Sequence, residues 1–210
     1  MLTTKGWLGL GCILLGLFWI YYTYIFMRNP KRTTPKGNNI VAPANGKINA
    51  IVRTKKSDQT INKGILGKIL LQTGDVAKDC YYINIVMTPL NIHYQRVPYD
   101  GTVLYVKHTK GKFLNAVSGA SSLNATLENE HTETLIKTKL GKIKVVQIAG
   151  FLCRRIFPFV KKGQKIKKGQ DLGIIKLGSQ VTLVIPAKLK LKVKEGETMV
   201  DGETIIATVK

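Results

Sequence analysis

The sequence of 210 residues predicts one mainly β domain behind a single N-terminal transmembrane helix. Three observations predict this fold class: a long uncharged apolar run at the N-terminus, short β-branched segments bounded by turn residues, and a repeated glycine pattern near the C-terminus. A chain of this length can form an anchor and one domain with a hydrophobic core, and it is too short for two large domains.

The N-terminal apolar run contains no charged residue from Gly6 to Met27. A helix rises about 1.5 Å per residue, so this run would cross a hydrocarbon core of roughly 30 Å. Bulky aromatic residues crowd its downstream end, where a cleaved signal peptide would need small ones, and basic residues begin at Arg28. We therefore expect a retained anchor over residues 1–29. The expected location is the cell (inner, cytoplasmic) membrane, with the protein single-pass or peripheral. The positive-inside tendency places the domain of residues 30–210 on the cytoplasmic side.

The formal net charge is +21, from 33 Lys and Arg against 12 Asp and Glu. Such a charge favours an anionic partner, either a nucleic acid or a lipid surface. The lysines are spread along the chain, without the zinc-finger spacing, stacking aromatic strand or basic helix of nucleic-acid-binding modules. Beside an anchor, the expected partner is an anionic phospholipid membrane, and nucleic-acid binding is not expected.

The three cysteines, Cys12, Cys80 and Cys153, are widely spaced. Neither a disulfide framework nor a metal site follows from this spacing, and a reducing cytosolic environment fits it. The oligomeric state stays open, with a homodimer as the general default.

Beyond the anchor, the chain shows the pattern of strands. After a linker rich in Pro, Lys and Thr, segments of alternating or β-branched residues are bounded by Gly, Asn, Asp or Pro. These segments are Lys47 to Arg53, Tyr81 to Met87, Thr102 to Val106 and Lys142 to Ala149. Helical periodicity is weak, and Glu128 to Leu135 lacks the apolar spacing of an amphipathic helix.

Two C-terminal segments resemble each other and predict paired hairpins. Val160 to Ile175 reads VKKGQKIKKGQDLGII, and Val193 to Ile206 reads VKEGETMVDGETII. Such repeats are similar to those of biotinyl and lipoyl carrier domains and their barrel-sandwich relatives, and Ala42 to Ile48 has a similar turn character. A carrier would present a modified Lys at a hairpin tip beside Met, and the sequence has no such tip. The repeats therefore predict a barrel-sandwich-hybrid-like β domain that is not a carrier.

The dipeptide Gly178-Ser179 lies between two apolar runs in the segment Gly173 to Pro186 (GIIKLGSQVTLVIP), where by itself it indicates a turn. This segment and the preceding Val146 to Ile156 resemble the C-terminal region of phosphatidylserine decarboxylase proenzymes, in particular the short bacterial and archaeal form. Further matching segments follow the family order: Arg28 to Pro30, Ala42 to Ile48, Met87 to Gly101 and Gly111 to Ala116. Ordered matches around one junction are more specific than any single motif.

The resemblance implies self-cleavage between Gly178 and Ser179, giving a β chain of residues 1–178 and an α chain of residues 179–210 that stay together. Ser179 would end as a pyruvoyl group, a covalent pyruvate that serves as the cofactor. Its ketone would form a Schiff base with the amine of a serine phospholipid and accept electrons as carbon dioxide leaves. The implied function is decarboxylation of phosphatidylserine, or of an ether-lipid analogue, to the ethanolamine phospholipid.

Two residues of the matching segments carry further expectations. His93 is the candidate base for the serine proton, although an isolated histidine is more often structural. Asn45 stands where the family usually has an aspartate of the self-cleavage triad, and it could still orient His93 through a hydrogen bond. Because an amide cannot accept a proton as a carboxylate does, the alternative function is a non-cleaving, membrane-tethered relative that binds lipid or a partner protein.

Other polar residues are interpreted as structural. Arg96 stands where many family members have a second histidine, although short forms often carry Arg. With Asp100 it is expected to shape the turn around Val97-Pro98. His108 and His131 match no motif and are interpreted as surface or structural residues.

Overall fold

The computed structural model describes residues 4–55, 58–62, 68–72, 74–110, 130–149, 155–176 and 179–209, with the backbone alone described for 58–62, 68–72 and 179. Within these ranges the chain forms one helix, α1 (Thr4–Ile20), which continues as a π-helical segment (Tyr21–Phe26). The strands are β1 (Asn39–Val41), β2 (Gly46–Thr54), β3 (Asp58–Asn62), β4 (Lys68–Gln72), β5 (Cys80–Met87), β6 (Tyr94–Arg96), β7 (Gly101–Thr109), β8 (His131–Thr138), β9 (Gly141–Ala149), β10 (Arg155–Pro158), β11 (Lys165–Ile166), β12 (Asp171–Lys176), β13 (Ser179–Pro186), β14 (Lys190–Leu191), β15 (Thr198–Met199) and β16 (Ile205–Thr208).

The predicted N-terminal helix is confirmed. Residues Thr4–Phe26 form 23 helical residues that are long and apolar enough to cross a membrane. No residue of α1 is buried against the domain, and its leucines and aromatic residues are exposed, as a lipid-facing helix requires. Its placement in a membrane stays a prediction.

The prediction of a mainly β domain is confirmed as well. An eight-stranded sheet in the order β11-β7-β8-β9-β13-β5-β2-β15 curls into a half-barrel. Each of the four strand segments predicted from the sequence lies in a strand of this sheet: β2, β5, β7 or β9. β13 is central, because it pairs with β5 on one edge and with β9 on the other.

Two three-stranded sheets, ordered β1-β16-β14 and β10-β12-β6, pack against the half-barrel. They share one hydrophobic core, to which Ile85 and Leu183 contribute from the large sheet and Ile175 and Ile206 from the small ones. A second apolar cluster that includes Leu135 and Val146 is separate from this core. The strands β8 and β9 of the large sheet are therefore buried on both faces along most of their length, whereas β2 has several exposed positions.

The two C-terminal repeats make equivalent contacts with two other segments. The N–H of Gly163 donates to the carbonyl of Val103, and the N–H of Gly196 donates to the carbonyl of Ile48, each at 2.8 Å. The partner segments are residues 97–103 (VPYDGTV) and 42–48 (APANGKI). The internal repeat therefore comprises four segments: the two C-terminal repeats and their two partner segments, residues 97–103 and 42–48. The sequence indicated the two C-terminal repeats and a similar turn at residues 42–48, but not residues 97–103.

Candidate active site

His93 lies immediately before β6, and its imidazole is fully buried. Its Nδ1 is 2.8 Å from the carbonyl oxygen of Asn91. Because a carbonyl oxygen can only accept a hydrogen bond, Nδ1 carries the hydrogen and the lone pair of the neutral ring is on Nε2. This Nε2 is buried and has no hydrogen-bond partner among the residues that the structure describes. The ring is therefore set up to accept a proton at Nε2.

Burial lowers the pKa of His93 to about 4, from an ordinary value of 6.5. The hydrogen bond to Asn91 acts in the opposite direction, and the positive charge of Arg28 lowers the pKa further. Near neutral pH the ring is therefore uncharged, which is the protonation state that a general base needs.

The end of the N-terminal helix covers His93. The Phe26 ring is fully buried, and its centroid lies 4.1 Å from that of the His93 ring. Arg28 Nη2 donates to the carbonyl of Leu90 at 2.6 Å, and the Tyr21 hydroxyl donates to the carbonyl of Pro89 at 2.8 Å. The helix is thus fixed to the loop that precedes His93, and its last turn supplies part of the burial that lowers the His93 pKa.

Asn45 is connected to His93 through Asn91. Asn91 Nδ2 donates to Asn45 Oδ1 at 3.0 Å, and the carbonyl of Asn91 in turn accepts from His93 Nδ1. The expected orienting contact of Asn45 is therefore indirect. Asn45 Nδ2 points to Asp201 Oδ1 at 3.4 Å, and Asp201 is fully buried. A carboxylate at position 45 would face the carboxylate of Asp201, whereas the amide donates a hydrogen bond to it.

Asp201 is the centre of a charged cluster that holds the linker after the helix. Arg96 Nε donates to Asp201 Oδ2 at 3.1 Å, and Arg32 Nε donates to the same oxygen at 3.3 Å. Arg96 also pairs with Asp171 and donates to the carbonyl of Pro30 at 3.0 Å. Arg96 thus joins the linker, β12 and the second C-terminal repeat, which is more than the turn-shaping role expected from the sequence.

Asp100 has a structural contact, but with a different turn from the one at Val97-Pro98 that the sequence suggested. Its Oδ1 accepts a hydrogen bond from the backbone N–H of Lys168 at 2.7 Å, within the turn of the first C-terminal repeat. Asp100 and Asn45 occupy corresponding positions in the two repeated segments, VPYDGTV and APANGKI. The internal repeat therefore places one of these side chains in a structural turn and the other beside the candidate site.

Ser179 begins β13, and its backbone is in register with Met87 of β5 and Ala149 of β9. Gly178 lies outside the described residues, as do the matching segment Gly111 to Ala116 and residues 150–154 of the segment before β10. The backbone N–H of Ile175 donates to the carbonyl of His93 at 3.2 Å. The fold thus places the backbone of His93 beside β12, the strand that leads into Gly178-Ser179. The roles assigned to Gly178 and Ser179 stay predictions.

The sequence reasoning missed four residues of the site: Phe26, Arg28 and Asn91 around His93, and Asp201 beside Asn45. Asn91 could have been found, since it lies inside the matching segment that contains His93. Asp201 could also have been noticed. When the two C-terminal repeats are aligned, Asp201 of the second repeat occupies the position of Lys168 in the first, so the charge is reversed there. The contacts of Phe26 and Arg28 have no local signal, because they join the anchor end to a loop more than sixty residues away.

A second polar cluster has the character of a structural network. Lys144 is fully buried, and its Nζ lies 2.9 Å from both Glu133 Oε2 and Asp75 Oδ1. His131 lies near Glu133, and His108 Nδ1 is 2.9 Å from the hydroxyl of Thr132, in agreement with their interpretation as structural residues. In the described part of the chain, no group of three or more His, Cys, Asp or Glu side chains could hold a metal ion.

Of the three cysteines, Cys12 and Cys80 are free thiols, and Cys153 lies outside the described residues. Cys12 is exposed on the helix, and Cys80 is buried.

Comparison with known proteins connects these features to a family. The family model described as "Phosphatidylserine decarboxylase" matches residues 20–207. The chain is 37% identical over 190 residues to a Methanocaldococcus jannaschii protein named "Putative archaetidylserine decarboxylase proenzyme", with 90% of each chain covered. It is 35% identical to the phosphatidylserine decarboxylase proenzyme of Chlorobaculum tepidum, with 90% of this chain and 79% of that protein covered. Against the Rickettsia bellii proenzyme, the identity is 37% over 201 residues, with 94% and 78% covered. By the extent of these matches, the chain belongs to the phosphatidylserine decarboxylase family.

Proposed function

We propose that this protein decarboxylates the serine headgroup of phosphatidylserine, or of an ether-linked analogue, and so forms the ethanolamine phospholipid. Membership of the family makes the chain a decarboxylase, which is a carboxy-lyase. The ester and ether variants follow the names of the relatives, which include both phosphatidylserine and archaetidylserine decarboxylase proenzymes. The structural observation that supports the proposal is the buried His93, whose Nε2 has no partner among the described residues.

The proposed activation is self-cleavage between Gly178 and Ser179. The Ser179 hydroxyl loses its proton to His93 Nε2 and attacks the Gly178 carbonyl, so that the peptide bond becomes an ester. Loss of the Ser179 α-proton then expels the Gly178 carboxylate, and the N-terminal piece ends there. Water replaces the amino nitrogen of the remaining dehydroalanine, and ammonia leaves. Glycine at position 178 favours the attack, because no side chain blocks its carbonyl.

The group formed from Ser179 would be a pyruvoyl group, whose ketone supplies an electrophile for the substrate amine and an electron sink during loss of carbon dioxide. His93 fits a site for this group, since its neutral, unpartnered Nε2 can hold or return a proton there. The hydrogen bond from Nδ1 to Asn91 prevents the other tautomer, so Nε2 is the nitrogen that does this.

Asn45 acts in this proposal as a positioning residue. It accepts a hydrogen bond from the side chain of Asn91, whose carbonyl holds His93 Nδ1. A base at position 45 is not needed, because the proton of Ser179 passes directly to His93 Nε2. The relatives named above are proenzymes, and their similarity over most of the chain supports a cleaving enzyme over the non-cleaving lipid-binding alternative.

The proposed location is the cell membrane, with Thr4–Phe26 as a single-pass anchor and the domain on the cytoplasmic side. The helix is long and apolar enough for this role, and Arg28 and Arg32 follow it on the domain side. A membrane location also suits the substrate, which is a bilayer lipid. Since the last turn of the helix packs on His93, the proposed site lies close to the membrane surface.

The deciding experiment is the intact mass of the purified full-length protein. We expect two chains, of which the smaller begins at position 179 and is lighter than the unmodified peptide by one ammonia. Ser179→Ala should give a single chain of full mass. His93→Gln should slow cleavage by about 100-fold to 10,000-fold, the usual contribution of a general base. Cleaved protein in lipid nanodiscs should convert phosphatidylserine, and a parallel assay with the ether analogue tests the choice of lipid.

A wild-type chain that stays uncut at full mass would contradict the proposal and favour the non-cleaving alternative. Cleavage with unchanged rate in His93→Gln would leave the proenzyme chemistry intact but remove His93 as the base. Cleavage without decarboxylation of either lipid would contradict the assigned substrate.

A further inference from the structure

One face of the small sheet β10-β12-β6 carries exposed aromatic side chains. In register, Tyr94 of β6 is opposite Ile174 of β12, and Ile174 is opposite Phe157 of β10. Directly opposite residues lie on the same face of a sheet, so these three share one face. Phe157 is 41% exposed and Phe159 is 48% exposed, and the Phe159 ring lies 6.1 Å from the Tyr94 ring. Exposed aromatic side chains that lie together in this way are a candidate surface for contact with a partner or a membrane.

Basic side chains accompany these rings. Arg155 and Lys176 are opposite each other at the end of the same sheet, and Lys176 Nζ lies 5.2 Å from the centre of the Phe157 ring. Two nearby carboxylates are already engaged: Asp171 pairs with Arg96, and Glu130 accepts from the backbone N–H of Ile156 at 3.3 Å. The face is therefore aromatic, and its basic residues Arg155 and Lys176 outnumber the one nearby carboxylate, Glu130, that has no arginine partner.

The aromatic face continues into the end of the membrane helix. Tyr94 directly follows His93, on which the Phe26 ring packs. The loop before His93 carries Leu90, which is 66% exposed and whose carbonyl accepts a hydrogen bond from Arg28. Leu90 is therefore held at the point where the helix leaves the domain, and Tyr94, which follows His93 in the chain, connects this point to the Phe159 ring.

We propose that Leu90, Tyr94, Phe157 and Phe159, together with Arg155 and Lys176, form an interfacial surface that enters the headgroup layer of the anionic bilayer holding the anchor. Aromatic rings favour this layer, because one part of it is apolar and the other is hydrated. Lysine and arginine beside them are attracted by anionic headgroups. The occupant is thus a phospholipid surface of negative charge, in agreement with the net charge of +21.

The interfacial surface fixes the orientation of the domain and not just its distance from the membrane. A chain tethered by a flexible linker could turn in any direction, whereas this domain is held by the helix and by the sheet face together. Because the Phe26 ring at the end of the helix packs on His93, the proposed site would lie close to the headgroup layer. A serine headgroup could then reach it while the acyl chains stay in the bilayer. This inference rests on the membrane placement proposed above and is independent of the chemistry at Ser179.

Spin-label accessibility in lipid nanodiscs tests the proposal on the full chain. A background with Cys12→Ser and Cys153→Ser retains Cys80, which is buried. Labels are placed singly through Phe159→Cys and Leu90→Cys. The aqueous control is Val52→Cys, on a strand of the large sheet at a position 44% exposed, and the membrane control is Leu14→Cys in the helix. The nanodiscs contain phosphatidylcholine and phosphatidylglycerol.

We expect the ratio of oxygen to water-soluble nickel accessibility at positions 90 and 159 to be several-fold higher than at position 52 and lower than at position 14. If the accessibility ratios at positions 90 and 159 equal the ratio at position 52, while the label at position 14 is shielded from nickel, the interfacial surface is refuted and the membrane anchor is retained. Nickel access at all four positions would overturn the membrane placement itself.

Discussion

The contact between Phe26 and His93 makes a quantitative prediction about proton binding. Burial is the largest cause of the low His93 pKa, and the fully buried Phe26 ring, 4.1 Å away, is part of that burial. The full shift, from 6.5 to about 4, corresponds to about 3 kcal/mol between the two protonation states. Replacing Phe26 by alanine admits water beside the ring, and we expect the His93 pKa to rise by about 1 unit or more.

Nuclear magnetic resonance of the histidine rings measures this pKa directly. The chain has three histidines, so the protein labelled at histidine and held in detergent micelles gives few signals, and His93→Gln identifies the signal of His93. The nitrogen shifts should also show the hydrogen on Nδ1 in the neutral form, as the bond to Asn91 requires. The matched control is Tyr24→Ala, at a position 73% exposed in the same helical segment, which should leave the pKa unchanged.

The same shift makes the stability of the domain depend on pH. Because the folded-state pKa of His93 is lower than its unfolded value, the unfolded chain binds more protons between the two values. The stabilisation is complete above pH 6.5 and decreases by about 3 kcal/mol as the pH falls to 4, and His93→Gln should remove this part of the dependence. A wild-type His93 that titrates near 6.5, or a pKa that Phe26→Ala leaves at about 4, would refute the assignment of the shift to burial under the anchor.

Three further substitutions test the packing around the site and in the large sheet by thermal unfolding in detergent micelles. Asp201→Ala removes the carboxylate that two arginines share, and it should destabilise the domain by about 3 kcal/mol; an unchanged midpoint would show that the cluster does not hold the linker. Lys144→Met leaves two carboxylates without their common cation and should cost about 3 kcal/mol, whereas an unchanged midpoint would contradict the charge argument. Gly101→Ala would place a Cβ 2.4 Å from the carbonyl oxygen of Lys137, so we expect the free energy of unfolding to fall by about 1–3 kcal/mol. Wild-type stability of this variant would show that β7 and β8 can move apart there without cost.

The sequence predicted those parts of the structure whose signals are local. An uncharged apolar run indicates a helix whatever surrounds it, and alternating β-branched residues indicate strands such as β5 and β9. The order of the strands and the contacts of Asn45 depend on which distant segments meet, and no periodicity encodes that. Asn45 illustrates the difference: the family pattern indicated its position, and the structure showed that it acts through Asn91 and beside Asp201.

The packing of the anchor end on His93 was the least predictable feature. The linker composition of Pro, Lys and Thr suggested a spacer, and an exposed spacer would have made no contact with the site. In the structure Arg32 reaches the buried Asp201, and Thr33 donates its N–H to Glu203 at 2.9 Å. The composition of the linker could be read from the sequence. Its contacts could not, because they depend on the carboxylates of Asp201 and Glu203 near the other end of the chain.

The central position of β13 has a consequence for a chain that is cut before Ser179. From Ser179 to Pro186 the strand is bonded to β5, and over most of that length it is also bonded to β9. Its apolar side chains are fully buried in the core. The new chain end would therefore be the first residue of a strand whose neighbours on both sides belong to the other polypeptide. The two chains would behave as a single folding unit without a covalent link, so that they would separate on unfolding but not on dilution. The pairing of β13 on both sides would also limit any movement gained at the break to the atoms beside it.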